Sequence, residues 1–213
     1  MPELIFVAGC NAAGKSTFIR TRLNELESFE ILMTDVYKSR TKDLAKQAID
    51  SGKNVLIETV FNDASFRDIA DYAKNVGYQT SLVVLFLDNL QQSITRVALR
   101  GMQQSGITIS GSNIKINFYE SFKNIASFFF YFDRSDFVYT GEGEVNQLIM
   151  SFHNSELTNY HSSNLTYPQN FVKYGFSNER IDADTYGIVT ANKGFTREQS
   201  DKDRPPGKFN LQG

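Results

Sequence analysis

The stretch GCNAAGKST (residues 9–17) follows the apolar run ELIFVA (residues 3–8) near the start of the chain. It fits the pattern G-x-x-x-x-G-K-[ST], in which two glycines let the backbone curl so that successive N–H groups face phosphate oxygens. The pattern stands between a buried-type strand and a helical pattern, which is the context that such a loop requires. A glycine-rich turn without a ligand is the weaker interpretation, and the sequence predicts a nucleotide-binding loop.

The predicted loop gives its residues distinct roles. Lys15 is positioned to reach the β- and γ-phosphates, and the Ser16 hydroxyl is positioned to bind Mg²⁺. The helix that begins after Gly14 adds the positive end of its dipole. We therefore expect ATP and Mg²⁺ as cofactors. The predicted nucleotide-binding residues are Gly9, Asn11, Ala12, Ala13, Gly14, Lys15, Ser16 and Thr17.

Apolar runs alternate with helical patterns along the first 150 residues. Short, continuous apolar runs are typical of strands that are buried on both faces of a parallel sheet. We expect an α/β fold, a P-loop three-layer sandwich with a mainly parallel five-stranded sheet and right-handed crossovers. The predicted strands are ELIFVA (3–8), FEILM (29–33), NVLIETV (54–60), TSLVVLFL (80–87) and DFVYTG (136–141), and helical patterns include residues 14–26, 89–100 and 114–130.

The character of the sequence changes after residue 150. Three of the four prolines lie there, and the apolar periodicity fades. Residues 174–195 are compatible with short strands or a hairpin, and residues 196–208 indicate a mobile polar tail. We predict a domain at residues 1–150 and a partly flexible C-terminal extension of unknown role at residues 151–213.

Composition limits the classes of partner. The 213-residue chain has a net charge of −2, which argues against a broad nucleic-acid surface. A single cysteine excludes an internal disulfide. The longest apolar stretches are too short to span a bilayer, and we expect neither a signal peptide nor membrane association. The expected protein is cytoplasmic and binds small molecules or other proteins.

Charged residues follow several predicted strands. Asp35 follows the second strand, where a carboxylate could accept a proton from a hydroxyl during in-line phosphoryl transfer or could instead cap the next helix. Glu58 ends an apolar strand, so it either faces a cleft or is exposed to solvent. Arg96 and Arg100 share a helix face, either as phosphate ligands or as a solvated basic edge.

Asp88 ends the most apolar predicted strand and occupies a position like that of a Walker B aspartate. It is also well placed to cap the helix predicted at residues 89–100. We favour the helix cap and assign no metal to Asp88.

The order of the phosphate loop, Asp35, Glu58 and the arginine pair resembles the zeta-toxin family, in particular its small bacterial members, over residues 2–141. Zeta toxins are kinases, and their best-known substrate is UDP-N-acetylglucosamine, which they phosphorylate on its 3′-hydroxyl. The resemblance implies an ATP-dependent phosphotransferase that acts on a hydroxyl of a small molecule, with an antitoxin protein as a possible partner.

The resemblance also implies roles for individual residues. Asp35 matches the general base of the family, and Glu58 and Thr59 fall where the family holds the acceptor substrate. Arginines of the matching helix contact the transferring phosphate in the family, which supplies positive charge to the transition state. The implied catalytic residues are Asp35, Lys15, Arg96 and Arg100, and the implied substrate-binding residues are Glu58 and Thr59.

The match departs from the family after this helix. Related proteins carry a glycine, a His-x-Val-Pro-like turn and a run of arginines, whereas this chain has residues 106–110 (GITIS) and then Lys115. A lysine lacks the two-pronged grip of arginine on phosphate. Two alternatives therefore stay open: a kinase of the same fold for a nucleoside, a dinucleotide or an antibiotic, and a non-catalytic ATP-binding module.

Overall fold

Eight strands form one sheet in the part of the chain that the computed structural model describes, namely residues 1–103, 109–141 and 146–197. Their order across the sheet is β2-β3-β1-β4-β5-β6-β7-β8. The strands are β1 (Glu3–Ala8), β2 (Phe29–Met33), β3 (Asn54–Thr59), β4 (Gln79–Phe86), β5 (Arg134–Tyr139), β6 (Gln147–His153), β7 (Glu156–Tyr160) and β8 (Phe195–Thr196).

The first five strands are parallel, as predicted, and the last three are antiparallel. The α/β class and the mainly parallel core are confirmed, but the expected number of five strands was too small. The additional strands escaped prediction because they lie towards one edge and mix polar with apolar residues. Asn154, in the left-handed conformation with φ 51°, forms part of the tight turn between β6 and β7.

Helices pack on both faces of the sheet and connect the parallel strands. Residues 174–195, which were predicted to hold short strands or a hairpin, instead contain the end of one helix, a second helix and the start of β8. No helix in the described ranges is long and apolar enough to cross a membrane. The helices are α1 (Lys15–Arg20), α2 (Thr34–Tyr37), α3 (Thr41–Asp50), α4 (Arg67–Asn75), α5 (Leu90–Gln103), α6 (Gly111–Phe128), α7 (Thr166–Ser177) and α8 (Ala183–Thr190).

Alternating residues of β1 supply the two hydrophobic cores. Phe6 faces the larger core, while Ile5 and Val7 face the smaller core, which α1 covers with Phe18. This alternation is expected because successive side chains of a strand point to opposite faces of the sheet. The P-loop follows β1 directly, so the nucleotide-binding loop is anchored in the centre of the fold.

The C-terminal region contributes to the larger core. Phe171 of α7 is fully buried, and its ring packs against those of Phe129, Phe137 and Phe152. The division of the chain at residue 150 stays a prediction. The polar tail predicted at residues 196–208 lies almost entirely outside the described residues, which end at Arg197.

Candidate nucleotide-binding and transfer site

The two glycines of the predicted loop occupy positions that other residues would strain. Gly9 has φ 151°, and a Cβ atom there would lie 2.1 Å from the carbonyl oxygen of Leu85 in β4. Gly14 has φ 86° immediately before α1. Both values lie in the region that favours glycine. Glycine at these positions therefore lets the loop curl tightly against the sheet.

Three carbonyl groups of the loop are held from outside it. Ser93 Oγ donates to Asn11 O at 2.8 Å, Arg96 Nη1 donates to Ala12 O at 3.4 Å, and Thr140 Oγ1 donates to Ala13 O at 2.9 Å. The N–H of a trans peptide points away from its carbonyl. The amides of Ala12 and Gly14 therefore point to the opposite, inner side, where a phosphate would bind, while the amide of Ala13 donates to Cys10 O at 3.3 Å.

Ser93 and Thr140 were missed by the sequence analysis. Their hydroxyls meet the loop from α5 and from the end of β5, 82 and 127 positions away along the chain from the residues they contact. A lone serine in a helix and a lone threonine after a strand carry no recognisable motif. Only the strand order, which places β4 beside β1 and β5 beside β4, could have indicated them.

Lys15 is buried and folds back over the loop. Its Nζ donates to Gly9 O at 3.0 Å and to Cys10 O at 3.2 Å. Burial lowers the pKa of the Lys15 ammonium, and the negative charge of Glu58 opposes this effect. The ammonium is thus tethered at the centre of the loop by weak partners that a phosphate oxygen could replace.

Glu58 lies at the end of β3, next to the P-loop strand. Val7 of β1 pairs with Glu58, and Ala8 pairs with Thr59. The Glu58 side chain is buried, so the solvent-exposed alternative was wrong, and its carboxylate accepts a hydrogen bond from Ser16 Oγ at 3.2 Å. Burial raises the pKa of Glu58, while Lys15 and Ser16 lower it. The structure therefore joins the predicted metal-binding hydroxyl and a predicted acceptor residue into one polar cluster.

Thr59 faces the turn that follows β3. Its side chain is buried, and its Oγ1 accepts a hydrogen bond from the backbone N–H of Phe61 at 3.0 Å. Its hydroxyl thus stabilises the turn beside the position expected for the acceptor.

Asp35 lies exposed in the first turn of α2. The N-cap of this helix is Met33, and no side chain caps it, so the cap alternative for Asp35 was wrong. Met33 pairs with Glu58 across β2 and β3, which brings α2 to the same edge of the sheet as the P-loop. The charge of Asp35 reaches both Lys15 and Glu58 and raises the pKa of each. The predicted base thus lies at the same edge of the sheet as that cluster.

The two predicted arginines take different positions. The Arg96 guanidinium donates to the backbone carbonyls of Ala12, Thr140 and Gly141, which ties the back of the P-loop to the end of β5. Arg100 is exposed, and its positive charge lowers the pKa of Lys15 and of Glu58, as expected for a cation near both. Of the two, Arg100 is the one that lies towards the polar cluster.

Asp88 does not cap the helix that follows it. Asn89 performs that role, with its Oδ1 accepting from Gln92 N at 3.0 Å at the start of α5. Asp88 Oδ1 instead accepts from the N–H groups of Thr166 (2.6 Å) and Tyr167 (2.8 Å) at the start of α7. The carboxylate caps a helix more than seventy residues away, which sequence proximity could not reveal.

The segment that departs from the family pattern is only partly described. Residues 106–108 lie outside the described ranges. Beyond them, Ser110 caps α6 by accepting from Asn113 N at 3.3 Å, and Lys115 lies exposed on that helix.

Comparisons with known proteins identify a family. The sequence model of the zeta-toxin family matches residues 37–145, which begins just after Asp35. A search among curated proteins finds no match.

Solved structures share the fold. A protein of the PezAT toxin–antitoxin system of Streptococcus pneumoniae is similar at 15% identity with a TM-score of 0.54, covering 84% of this chain and 87% of that chain. The AvrRxo1-ORF1:AvrRxo1-ORF2 complex with sulphate ions is similar at 14% identity with a TM-score of 0.58, covering 92% and 78%. The same complex with ATP gives 14% identity and a TM-score of 0.56, covering 91% and 77%. At these identities the likeness shows the fold alone.

Proposed function

This chain belongs to the zeta-toxin family, and from that premise we propose that it is an ATP-dependent kinase that transfers the γ-phosphate to a hydroxyl of a small molecule. One observation carries the proposal. Lys15, Ser16 and Glu58 meet at the carboxyl edge of the sheet, with Asp35 at the same edge, beside a loop whose carbonyls are held on its outer side. Such an edge is where open α/β sheets bind their ligands.

The loop would bind the phosphates of ATP. Amides that face inward suit an anion, and the Lys15 ammonium would exchange its carbonyl partners for β- and γ-phosphate oxygens. The donor residues are those predicted from the sequence, with Ser93 and Thr140 as additional supports.

The residues present fit a magnesium ion. Ser16 Oγ and the Glu58 carboxylate supply hard oxygen ligands side by side, and the described residues contain no cluster of three or more His, Cys, Asp or Glu side chains. This sparse set is typical of Mg²⁺, which is usually held by one or two protein groups together with substrate phosphates. When bound, the ion would neutralise charge on the β- and γ-phosphates.

Asp35 would act as the general base. Its carboxylate would accept the proton of the acceptor hydroxyl as that oxygen bonds to the γ-phosphorus, while the bond to the β–γ bridging oxygen breaks and ADP leaves. Arg100 would stabilise the charge of the transferring phosphoryl group. Arg96, with five N–H donors, could hold the loop and still contact phosphate.

The acceptor would lie against Glu58 and Thr59, beyond the γ-phosphate. A nucleotide sugar such as UDP-N-acetylglucosamine is the acceptor we propose first, because the family resemblance suggests it. A nucleoside, a dinucleotide or an antibiotic would meet the same catalytic groups. Such substrates and ATP are cytoplasmic, so we also propose that the protein acts there. A protein partner that blocks this site, as an antitoxin would, is suggested by the similarity to a protein of a toxin–antitoxin system.

The test is a transfer assay with mass detection. The protein is incubated with ATP, Mg²⁺ and a mixed pool of nucleotide sugars and nucleosides, and a gain of one phosphate is sought by mass spectrometry. We expect one class of hydroxyl compound to gain phosphate with the wild type and with Lys53→Ala, an exposed lysine at the opposite end of β3, but not with Lys15→Ala. ATP binding without any transfer would favour the non-catalytic module instead.

A further inference from the structure

Three asparagines connect the P-loop to the turn that follows β3. Asn117 Nδ2, on α6, donates to Asn11 Oδ1 in the P-loop at 2.8 Å. Asn62 Nδ2, in the turn, donates to Asn117 Oδ1 at 2.7 Å. We call Asn11, Asn117 and Asn62 the asparagine bridge. The side-chain amide of Asn117 both donates and accepts a hydrogen bond. It therefore joins two loops that are far apart in the sequence.

The P-loop end of the bridge is firmly positioned. The carbonyl of Asn11 accepts from Ser93 Oγ, whose side chain is fully buried. The loop residue that follows, Ala12, has φ 58°, so the backbone here is held in a conformation that only surrounding contacts can maintain. The Asn11 side chain therefore projects from a fixed backbone, on the loop that would receive the phosphates.

The other end of the bridge adjoins a strained residue. Phe61 has φ 57°, although its ring is fully buried against Phe6 and Phe132. A bulky residue in this region is an outlier, and such conformations persist where several contacts determine them. Two of those contacts are hydrogen bonds. The backbone N–H of Phe61 donates to Thr59 Oγ1 at 3.0 Å, and the side-chain amide of Asn62, one residue later, donates to Asn117.

The bridge thus runs from the nucleotide side of the site to the acceptor side. Thr59, which the turn restrains through Phe61, is one of the two residues expected to contact the acceptor. Asn117 is half-buried on α6, next to Phe118, which packs against the smaller core. Its side-chain amide makes its hydrogen bonds to the two loops.

We propose that Asn117 is a positioning residue through which occupation of the P-loop orders the turn at residues 60–63 beside the acceptor. A phosphate bound in the loop restrains Asn11, Asn11 restrains Asn117, and Asn117 holds Asn62 and the strained turn in place. Because such coupling is reciprocal, an ordered turn also favours nucleotide binding. The inference rests on the proposed function in one respect, namely that the loop binds a nucleotide.

The test uses hydrogen exchange with the full chain. The probe is Mg²⁺ with AMP-PNP, a non-hydrolysable analogue of ATP, and the readouts are the amides of Phe61 and Ser65, which are bonded to Thr59 Oγ1 and Asp63 Oδ1. In the wild type we expect the nucleotide to slow exchange of these amides by about fivefold or more, the usual scale of coupling between sites. Asn117→Ala should still bind the nucleotide, with an affinity lower by no more than about the factor of the lost coupling, and should lose the slowing. The control is Asn113→Ala, one turn earlier on α6 and exposed, which should keep both properties.

A second variant covers the case in which Asn117→Ala unfolds. Asn62→Ala removes only the outer hydrogen bond of the bridge and should give the same loss of slowing, again with an affinity lower by no more than about the factor of the lost coupling. Slowing that persists in either folded variant would overturn the coupling, as would nucleotide binding to the wild type without any slowing. A wild type that binds no nucleotide would overturn the proposed function and the coupling together.

Discussion

Ser16 donates a hydrogen bond to Glu58, with its Oγ 3.2 Å from Oε1 and 3.3 Å from Oε2. The hydroxyl proton therefore points at the carboxylate, which leaves the oxygen lone pairs of Ser16 directed elsewhere, as a metal ligand requires. Glu58 was predicted as an acceptor-binding residue, and its contact with Ser16 adds a role beside the metal. The two roles differ in what a charge-removing substitution would do.

In Glu58→Gln, the factor by which Mg²⁺ raises ATP affinity should be about tenfold smaller than in the wild type. The amide keeps the shape of the side chain but removes the negative charge beside the ion. Calorimetric titration with ATP, with and without Mg²⁺, measures this. Glu30→Gln, an exposed carboxylate on β2 that pairs with Lys53, is the control and should leave both titrations unchanged. If Mg²⁺ raises ATP affinity equally in Glu58→Gln and in the wild type, Glu58 has no role in metal binding and only the role in acceptor binding is left.

Thr140→Val should weaken ATP binding by about tenfold. The buried carbonyl of Ala13 would lose its hydrogen-bond donor, and the loop would no longer be held in a fixed orientation. Valine fills nearly the same volume, so the effect comes from the hydroxyl. The measurements are ATP affinity and urea unfolding. Thr190→Val removes a similar hydroxyl-to-carbonyl bond within α8, away from the site, and should not change ATP affinity. Equal ATP affinity in both variants would contradict the role given to Thr140.

Asp88→Ala should cost about 0.5–2 kcal/mol of unfolding free energy, the usual effect of losing an N-cap, because the first N–H groups of α7 lose their acceptor. Affinity for ATP and Mg²⁺ should persist. Asp182→Ala, which removes the N-cap of α8, is a matched control and should cost a similar amount. A selective loss of Mg²⁺-dependent ATP binding in Asp88→Ala would restore the Walker B interpretation.

Much of the fold could be predicted from the sequence. The predicted strands at residues 3–8 and 29–33 coincide with β1 and β2. For β1 this is because a continuous apolar run has few alternatives to a strand buried on both faces. The helix predicted at residues 14–26 ends earlier, at Arg20, and continues as turns. The C-terminal strands and helices were not predicted, since they mix polar with apolar residues or pack through scattered aromatic residues such as Phe171.

The candidate site was predictable where its residues are contiguous. The P-loop is a local motif, so its geometry follows from nine consecutive residues. The supports from Ser93, Thr140 and Asn117 depend on tertiary proximity of common residue types, for which no pattern exists in one sequence. Arg96 illustrates the same limit: its spacing predicts a shared face with Arg100, but not that its guanidinium binds backbone carbonyls.

Asp136→Asn should change how stability depends on pH. Burial raises the pKa of Asp136 above its ordinary value of 3.8, and Arg134 and Ser151 only partly oppose this. A carboxyl whose pKa is higher in the folded state stabilises the fold at low pH, and this stability is lost as pH rises from about 3.8 through the raised pKa. The variant lacks this loss, so its unfolding free energy relative to wild type should increase with pH across that window.

Urea unfolding at a series of pH values measures this difference. Asp71→Asn, an exposed carboxylate paired with Arg67 within α4, is the control and should follow the wild-type pH dependence. A constant difference between Asp136→Asn and wild type would mean that Asp136 keeps an ordinary pKa in the folded protein.

Asp35→Asn separates a kinase from a binding module most directly. Asparagine keeps the size of the side chain but cannot take a proton at neutral pH. If Asp35 is the base, transfer should fall by on the order of a hundredfold or more, the usual scale of general-base catalysis. ATP affinity should stay the same or rise slightly, because a negative charge near Lys15 and the γ-phosphate disappears.

Asp43→Asn, which changes an aspartate in the first turn of α3, is the control for loss of a carboxylate near a helix start and should leave the transfer rate unchanged. Since Met33, and not Asp35, is the N-cap of α2, a lost helix cap could not account for the decrease. Undiminished phosphoryl transfer by Asp35→Asn, measured beside an unchanged ATP affinity, would refute the mechanism and with it the role of Asp35.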